Sequence, residues 1–168
     1  MKPRFGGGSK GIRILERGDL QGSEWLRDEY IYQHFDDYAK EYTAVVMKDG
    51  GRVAAVAVLE RALAGGRTVW CKRVAAGPHE GMLKAVASGL DIPYLNIQFG
   101  MVDGMPHVFD LNPRFSGSTA VFALIFNGPD LLVQKALHGV MPDFLCGDRY
   151  FESVRFYDDL VVDVPQEH

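Results

Sequence analysis

The most specific pattern in this sequence is a nine-residue stretch: Asp110-Leu111-Asn112-Pro113-Arg114-Phe115-Ser116-Gly117-Ser118. Asp110 and Asn112 are two residues apart, so in a β-strand their side chains point to one face. Pro113 cannot donate a hydrogen bond to a sheet and ends the strand, which leaves Arg114 on the following loop. Carboxylate and amide oxygens beside a basic residue suit Mg²⁺ bound to a polyphosphate. Asp and Asn as helix-capping residues at a strand exit are the alternative interpretation.

Gln98 adds a third oxygen if its strand presents the same face as Asp110. The two strands are connected around Asp103-Gly104. A two-residue turn there would pair Gln98 with Phe109 and send Asp110 to the opposite face. A loop with an odd number of residues, or a β-bulge, would bring Gln98 and Asp110 together. The metal site therefore requires one of these two irregularities.

A second candidate site is the glycine-rich run Lys2-Pro3-Arg4-Phe5-Gly6-Gly7-Gly8-Ser9-Lys10-Gly11. Glycines let backbone N–H groups approach phosphate oxygens, because no Cβ is in the way. The neighbouring Lys and Arg side chains supply positive charge for the same phosphates. The spacing is not that of a P-loop. A flexible tail or mobile turn is the alternative interpretation.

The remaining pattern predicts an α+β fold, in which consecutive hairpins have helices packed to one side. Asp49-Gly50-Gly51 and Gly65-Gly66 mark hairpin turns. The strands are predicted at 2–5, 12–15, 30–35, 41–48, 52–63, 67–75, 94–101, 107–111 and 153–164. A short helix is predicted after a capping Ser23, and others between Gly81 and Pro93, at about 118–126 and at 129–137.

Composition restricts the class of protein. The chain has 168 residues, a formal net charge of −4 and 47% hydrophobic residues, which are typical of one globular domain. Its mild acidity does not favour nucleic-acid binding, and no apolar run reaches the roughly 20 residues of a membrane helix. Two cysteines, Cys71 and Cys146, are too few for a disulfide framework, and no secretory signal is evident. We therefore expect a cytoplasmic protein that contacts neither nucleic acid nor membrane.

Taken together, these patterns resemble the ATP-grasp superfamily, and most closely the ATP-binding part of the carbamoyl-phosphate synthase large subunit and similar carboxylate–amine ligases. The resemblance rests on four motifs in the order and with the separations of the family: 2–11, Glu41-Tyr42, Asn96-Ile97-Gln98-Phe99 and 110–117. It covers essentially the whole chain. The implied fold has mainly antiparallel sheets with helices on one face, in a single partial domain with a glycine-loop lobe at about 1–34 and a metal- and nucleotide-binding lobe at about 35–168.

The resemblance implies that the chain binds ATP with Mg²⁺ or Mn²⁺ and acts on a carboxylate-containing small molecule. Lys2 and Arg114 are the implied catalytic residues, in contact with the phosphates. The implied nucleotide-binding residues are Lys2, Arg4, Gly6, Gly7, Gly8, Ser9, Gly11, Gln33, His34 and Glu41. Among them, Gln33 and His34 occupy the hinge strand beside adenine, and Glu41 contacts the ribose. The implied metal ligands are Gln98, Asp110 and Asn112. Arg61 and Arg73 are further candidates for phosphate or substrate contact, with solvated strand charges as the alternative.

The sequence departs from the family pattern in three ways. Position 110 is Asp where the family usually has Glu, and position 34 is His where the hinge usually carries an acidic residue. Family members also have a long segment before the loop lysine, so this chain resembles the C-terminal half of the enzyme. Two hypotheses follow: a ligase domain that forms an acyl phosphate, or a non-catalytic nucleotide-binding or structural half-domain. Either could act as a homodimer or with a partner chain that supplies the missing lobe.

Overall fold

The computed structural model describes residues 1–5, 10–20 and 29–156, and these residues form two antiparallel sheets and three α-helices. The strands are β1 (Lys2–Pro3), β2 (Tyr30–Ile31), β3 (Glu41–Asp49), β4 (Arg52–Ala64), β5 (Arg67–Val74), β6 (Tyr94–Val102), β7 (Met105–Asn112) and β8 (Glu152–Val154). The helices are α1 (Gly77–Ser88), α2 (Thr119–Phe122) and α3 (Gly128–His138). β1 and β2 form a small sheet, and the other six strands form a large one.

The large sheet has the strand order β7-β6-β3-β4-β5-β8, and its hairpins follow from turn residues. Gly50, Gly65 and Gly66 have φ of 60°, 56° and 74°, in the left-handed region that glycine adopts without strain. Asp103 and Gly104, with φ of 48° and 79°, form the two-residue turn between β6 and β7. Two positive φ values are typical of a type I′ hairpin turn. The predicted hairpins are confirmed.

Both faces of the large sheet are covered by helices, which corrects the expectation of helices on one face. Alternate residues of β3 point to opposite faces, so Val46 packs with Leu83 of α1, whereas Val45 packs with Phe122 of α2 and Leu131 of α3. An apolar pattern of helical spacing predicts that a helix forms, but it does not encode which face of a sheet the helix covers. The α+β class with antiparallel sheets is confirmed.

Several predicted elements are shorter or begin elsewhere. Strand 2–5 is reduced to Lys2–Pro3, and strand 30–35 ends at Ile31, so Gln33 and His34 lie in an irregular segment rather than on a strand. Residues 12–15 form no strand; instead Arg13 and Met1 exchange two backbone hydrogen bonds of 2.9 Å. The small sheet thus consists of two-residue strands, too short to be distinguished by alternation in the sequence.

The helical predictions need similar corrections. α1 begins at Gly77, before the predicted Gly81, because Pro78 fits the first helical turn. The helix expected at 118–126 is a single turn, α2, and α3 matches 129–137 closely. The strand expected at 153–164 is β8 within the described residues, and the helix after Ser23 lies outside them.

The helices of the described residues are short. None of them is both long enough and apolar enough to cross a membrane.

Candidate functional site

A cavity of about 780 Å³ lies on the face of the large sheet that also carries α2 and α3. It crosses the sheet from β7 to β5 and is closed on one side by β1 and the segment after β2. The two ends of the cavity lie at β7 and at β5 and are called the β7 end and the β5 end. The β7 end comprises Lys2, Gln98, Phe109, Asp110 and Asn112, and the β5 end comprises Thr68, Gly117, Ser118 and Arg155.

A β-bulge brings the predicted metal-binding residues to one face. Gln98 is paired with Asp110 while Phe99 is paired with Val108, so Phe109 is an extra residue in β7. The hairpin turn has two residues, and without the bulge Asp110 would point to the opposite face. Of the two irregularities that the sequence required, the structure has the bulge.

The oxygens at the β7 end already have partners. Lys2 Nζ lies 3.5 Å from Asp110 Oδ1 and donates a hydrogen bond of 3.2 Å to the Phe109 carbonyl. Asn112 Nδ2 donates to Asp110 Oδ2 at 2.6 Å. Asp110 is therefore held by a cation on one oxygen and an amide on the other, which orients its carboxylate toward the cavity.

Arg61 lies at the centre of the cavity floor, where the sequence left its role open. Its side chain is 7% exposed, and Nη2 donates to Gln98 Oε1 at 2.8 Å and to Glu41 Oε2 at 3.2 Å. Burial lowers the pKa of the guanidinium, and the negative charges of Glu41 and Asp110 act against that shift. The group remains a cation in proteins. Arg61 is thus a fixed positive charge between the two ends of the cavity.

Arg73, the other arginine whose role was open, does not line the cavity. Its Nη1 donates to the carbonyls of Gly147 and Arg149 at 2.6 and 2.8 Å, and its guanidinium lies over the Tyr150 ring. These contacts attach the segment after α3 to the sheet. Arg73 therefore fits neither alternative, contact with phosphate or substrate or a solvated strand charge, because its guanidinium is used in these contacts within the chain.

Beside the β7 end, aromatic rings form a wall of the cavity. Phe109, the bulge residue, stacks on Tyr38 with ring centroids 5.2 Å apart. The Tyr38 ring lies on Gly100, where any Cβ would overlap it, so the close approach requires glycine. Gln33 and His34 also line the cavity here. Apolar rings with polar neighbours are suitable for a flat heterocycle.

The predicted phosphate loop is only partly described. Gly6, Gly7, Gly8 and Ser9 lie outside the described residues. Arg4 lines the cavity, whereas Gly11, with φ of 76°, lies against Pro3. Of the other predicted residues, Glu41 and Arg114 line the cavity.

A second bulge shapes the β5 end. Ala62 is paired with Trp70 and Leu63 with Thr68, so Val69 is an extra residue in β5. The bulge places Thr68 on the cavity face, where its hydroxyl lies 3.4 Å from that of Ser118. Both residues are buried. This corner was absent from the sequence predictions, because Thr68 and Ser118 are far apart in the chain.

Comparisons with known proteins define the fold. No protein-family profile and no curated protein matches the chain significantly. Among solved structures, the phosphoribosylaminoimidazole carboxylase ATPase subunit from Aquifex aeolicus has a TM-score of 0.57 and 17% identity, over 74% of this chain and 41% of that chain. The chain has a partial ATP-grasp fold.

Two other solved structures are similar with lower scores. N5-carboxyaminoimidazole synthetase from Staphylococcus aureus, complexed with ADP, has a TM-score of 0.49 and 18% identity, over 70% of this chain and 35% of that chain. A protein from Archaeoglobus fulgidus assigned to the ATP-grasp superfamily has a TM-score of 0.48 and 16% identity, over 79% of this chain and 50% of that chain. The chain thus spans half or less of the length of these three. The fold assignment rests on the Aquifex aeolicus structure, and the carbamoyl-phosphate synthase subfamily stays a prediction of the sequence.

The chain offers a limited donor set for a metal. Gln98, Asp110 and Asn112 share one face, and among the described residues no group of three or more His, Cys, Asp or Glu could hold a metal ion. One carboxylate with two amides is too weak a set to hold Mg²⁺ by itself. It does suit Mg²⁺ or Mn²⁺ delivered with phosphate oxygens, which complete the coordination shell.

The positioning role of Asn96 and the burial of Arg61 were not predicted from the sequence. Asn96, fully buried beneath the cavity, donates to Thr43 Oγ1 at 2.8 Å, which turns Thr43 into a fixed group of the cavity wall. Arg61 follows Ala57 and Leu59 on the core-facing side of β4. A charge that interrupts such an apolar alternation is the signal that could have predicted the burial of Arg61.

Proposed function

We propose that this chain binds Mg-ATP in the cavity and supplies the nucleotide-binding half of a carboxylate–amine or carboxylate–ammonia ligase. The observation that carries the proposal is the β7 end, where a bulge aligns Gln98 with Asp110 between two cations, Lys2 and Arg61. The cavity volume, about 780 Å³, is within the roughly 300–1,000 Å³ of small-molecule sites. The carbamoyl-phosphate synthase type of ligase, suggested by the motifs, is the finer form of this proposal.

The roles of the residues follow from their positions. Tyr38 and Phe109 provide an apolar surface for adenine, with Gln33 and His34 at its edge, and Glu41 at the start of β3 accepts from the ribose hydroxyls. Lys2 and Arg4 neutralise phosphate charge, together with the backbone of the glycine run at 6–9. Gln98, Asp110 and Asn112 hold Mg²⁺ or Mn²⁺, which when bound neutralises the phosphates and aligns them for transfer.

The proposed reaction has two steps. A carboxylate oxygen of the acceptor attacks the γ-phosphorus of ATP, and the bond from that phosphorus to ADP breaks, which gives an acyl phosphate. An amine or ammonia then attacks the carbonyl carbon and releases inorganic phosphate. Arg61 and Arg114 stabilise negative charge on the transferred group, and such preorganised charge carries most of phosphoryl-transfer catalysis.

The test is calorimetric titration of the full chain with Mg-ATP, beside Asp110→Asn and a matched control, Asp103→Asn. Asp103 lies in the exposed turn of the same hairpin, and Asn is well accepted at its φ of 48°. We expect metal-dependent binding by the wild-type protein and by Asp103→Asn, and at least a tenfold loss for Asp110→Asn. A folded wild-type chain that does not bind Mg-ATP, or equal binding by Asp110→Asn, contradicts the proposal.

The second candidate function is nucleotide binding without catalysis, as a half-domain that works with a partner chain or a second copy. It is favoured by the contacts of Asp110, whose two carboxylate oxygens already have Lys2 and Asn112 as partners. Hydroxylamine separates the candidates because it traps acyl phosphates as hydroxamates. Hydroxamate formation from ATP and a set of carboxylates supports the ligase, whereas binding without any product supports the half-domain. The cytoplasmic location stays a prediction of the sequence.

A further inference from the structure

The β5 end of the cavity is a corner formed by three chain segments, and the proposed nucleotide site does not include it. The extra residue of the bulge, Val69, accepts a hydrogen bond of 2.8 Å from the backbone N–H of Arg155. Arg155 in turn donates from Nη2 to the Gly117 carbonyl at 2.6 Å. The bulge, the end of β8 and the loop after β7 are therefore tied together at one point.

This corner presents polar groups in a buried setting. The hydroxyls of Thr68 and Ser118 lie 3.4 Å apart, and Thr68 and Ser118 are 9% and 3% exposed. A contact of that length between hydroxyls is weak, since such hydrogen bonds are usually 2.5–3.0 Å. Both hydroxyls are on the cavity wall. They remain able to donate to an oxygen that binds between them.

Positive charge at this end has no carboxylate beside it among the described lining residues. Arg155 lines the cavity, and its side chain donates to the Gly117 carbonyl. The acidic residues among the described lining residues are Glu41 and Asp110, which are paired with Arg61 and Lys2. The Arg155 guanidinium therefore attracts an anion to the β5 end.

The β5 end lies far from the proposed metal ligands on β6 and β7, so an anion bound there is not one of the nucleotide phosphates. Four strand intervals lie between β7 and β5 in the order β7-β6-β3-β4-β5, which is roughly 19 Å at about 4.8 Å each. In the proposed complex, Lys2 and a metal ion on Asp110 would hold the phosphates at the β7 end, and the phosphates would extend toward Arg61 in the middle. An acceptor beyond Arg61 would have its reacting carboxylate facing the middle of the cavity.

We propose that the Arg155–Thr68–Ser118 corner binds a second anionic group of the acceptor, so that the acceptor carries a carboxylate that reacts and a separate carboxylate or phosphate that anchors it. This inference rests on the proposed function, since it assigns the acceptor of the same ligase. The shared chemistry is that of an oxyanion: guanidinium groups and hydroxyls bind carboxylate and phosphate through the same donors. Arg155 is a binding residue for that anchor.

The test is NMR titration of the full chain with three probes: inorganic phosphate, succinate and acetate. We expect phosphate or succinate to shift the backbone amides at 66–69 and 116–118 with at least fivefold higher affinity than acetate. A response to phosphate alone indicates a phosphorylated acceptor, and a response to succinate alone a dicarboxylate. Equal weak responses to all three probes, or shifts confined to the β7 end, overturn the inference.

The variants are Arg155→Gln and its matched control Arg149→Gln, an exposed arginine outside the cavity. Arg155→Gln is expected to weaken probe binding at 66–69 and 116–118 at least fivefold, and Arg149→Gln to leave it within twofold. Since Arg155 also holds Gly117, Thr68→Val is the second variant, and it removes one hydroxyl without changing that contact. Wild-type affinity in both Arg155→Gln and Thr68→Val overturns the inference.

Mg-ATP titration of the same wild-type sample separates the two proposals. Mg-ATP binding without a probe response at the β5 end contradicts the acceptor anchor alone. A probe response without Mg-ATP binding contradicts the proposed function, and with it the assignment of the anion to a ligase acceptor.

Discussion

The two ends of the cavity are built by the same device and differ in how the sequence encodes them. Each has a β-bulge with one extra residue, Phe109 or Val69. The bulge turns the adjacent side chain, Asp110 or Thr68, to the cavity face. In each, the carbonyl of that extra residue accepts from a basic residue: Phe109 from Lys2 Nζ, and Val69 from the backbone N–H of Arg155. A bulge can therefore both redirect a side chain and provide an acceptor for its neighbour.

The difference is in the spread of the residues along the chain. At the β7 end, Asp110 and Asn112 lie within one continuous motif, and their partner Gln98 is in the adjacent strand. At the β5 end, Thr68, Ser118 and Arg155 come from three separate segments. A continuous motif forms the end of the cavity that we propose binds the nucleotide, whereas dispersed residues form the end that we propose faces the acceptor. The first proposal could therefore be made from the sequence, and the second only from the fold.

Arg61 joins the two ends, so its loss has the largest expected effect. Arg61→Met leaves Gln98 Oε1 and Glu41 Oε2 without their donor and removes the central cation. We expect at least a tenfold loss in Mg-ATP affinity, and a loss of about 1–3 kcal/mol in the free energy of unfolding. Calorimetry and urea denaturation measure the two effects.

The matched control for Arg61→Met is Arg73→Met, in the neighbouring strand. Arg73 donates to the Gly147 and Arg149 carbonyls and lies outside the cavity, so its loss should cost about 1–3 kcal/mol of stability and leave the Mg-ATP affinity within twofold. Similar losses of affinity in both variants would mean that Arg61 acts through folding alone and not through charge.

Two glycines give the next contrast, one at each end of the cavity. A Cβ at Gly100 would overlap the Tyr38 ring, whereas the nearest atom to a Cβ at Gly117 is Arg155 Nη1 at 3.8 Å. Gly100→Ala should therefore displace Tyr38, at a cost of about 1–3 kcal/mol in unfolding free energy, and weaken Mg-ATP binding severalfold. Gly117→Ala should change both by little. The measurements are thermal unfolding and calorimetry, and equal effects of the two variants would disprove the close approach of Tyr38 to β6.

Sequence reasoning was sufficient where local rules decide the structure. Asp103-Gly104 specifies a two-residue hairpin turn, and Gly139, with φ of 77°, ends α3 as glycine commonly does. Alternation placed Asp110 and Asn112 on one face. These features depend on neighbours in the chain, so the α+β class, most of the strands of the large sheet and the resemblance to ATP-grasp proteins could all be predicted.

The rest could not be predicted, because it depends on contacts between distant segments. Neither Phe109 nor Val69 has a sequence feature that marks a bulge, since an aromatic and a β-branched residue are both ordinary in strands. The burial of Arg61 depends on Gln98, 37 positions away in the chain. Thr68 and Ser118 meet only once the sheet and the loop after β7 have formed. The helices cover both faces of the sheet for the same reason.

The smallest expected effect concerns Asp36, which tethers the β7 end alone. The Asp36 carboxylate contacts two histidines. Its Oδ2 lies 3.0 Å from His107 Nδ1, and its Oδ1 lies 3.2 Å from His34 Nδ1. The hydrogen bond from His107 is the largest cause that holds the pKa of Asp36 below its ordinary value, and the contact with His34 adds to it. The tether connects the segment at 34–36 to β7, and the described residues of the β5 end contain no such carboxylate–histidine contact.

Because the pKa of Asp36 is lower in the folded than in the unfolded chain, its contribution is present above the ordinary Asp pKa of about 3.9 and is lost as pH falls through the folded value. Asp36→Asn should therefore reduce stability slightly at pH 6 and flatten the decline in stability below about pH 4, as measured by urea denaturation across pH. It should weaken Mg-ATP binding slightly and leave phosphate or succinate shifts at 66–69 and 116–118 unchanged. If the stability of the variant fell more steeply with decreasing pH than that of the wild type, the contacts of Asp36 would not be stabilising. A loss of probe binding would show that the two ends of the cavity are coupled through β7.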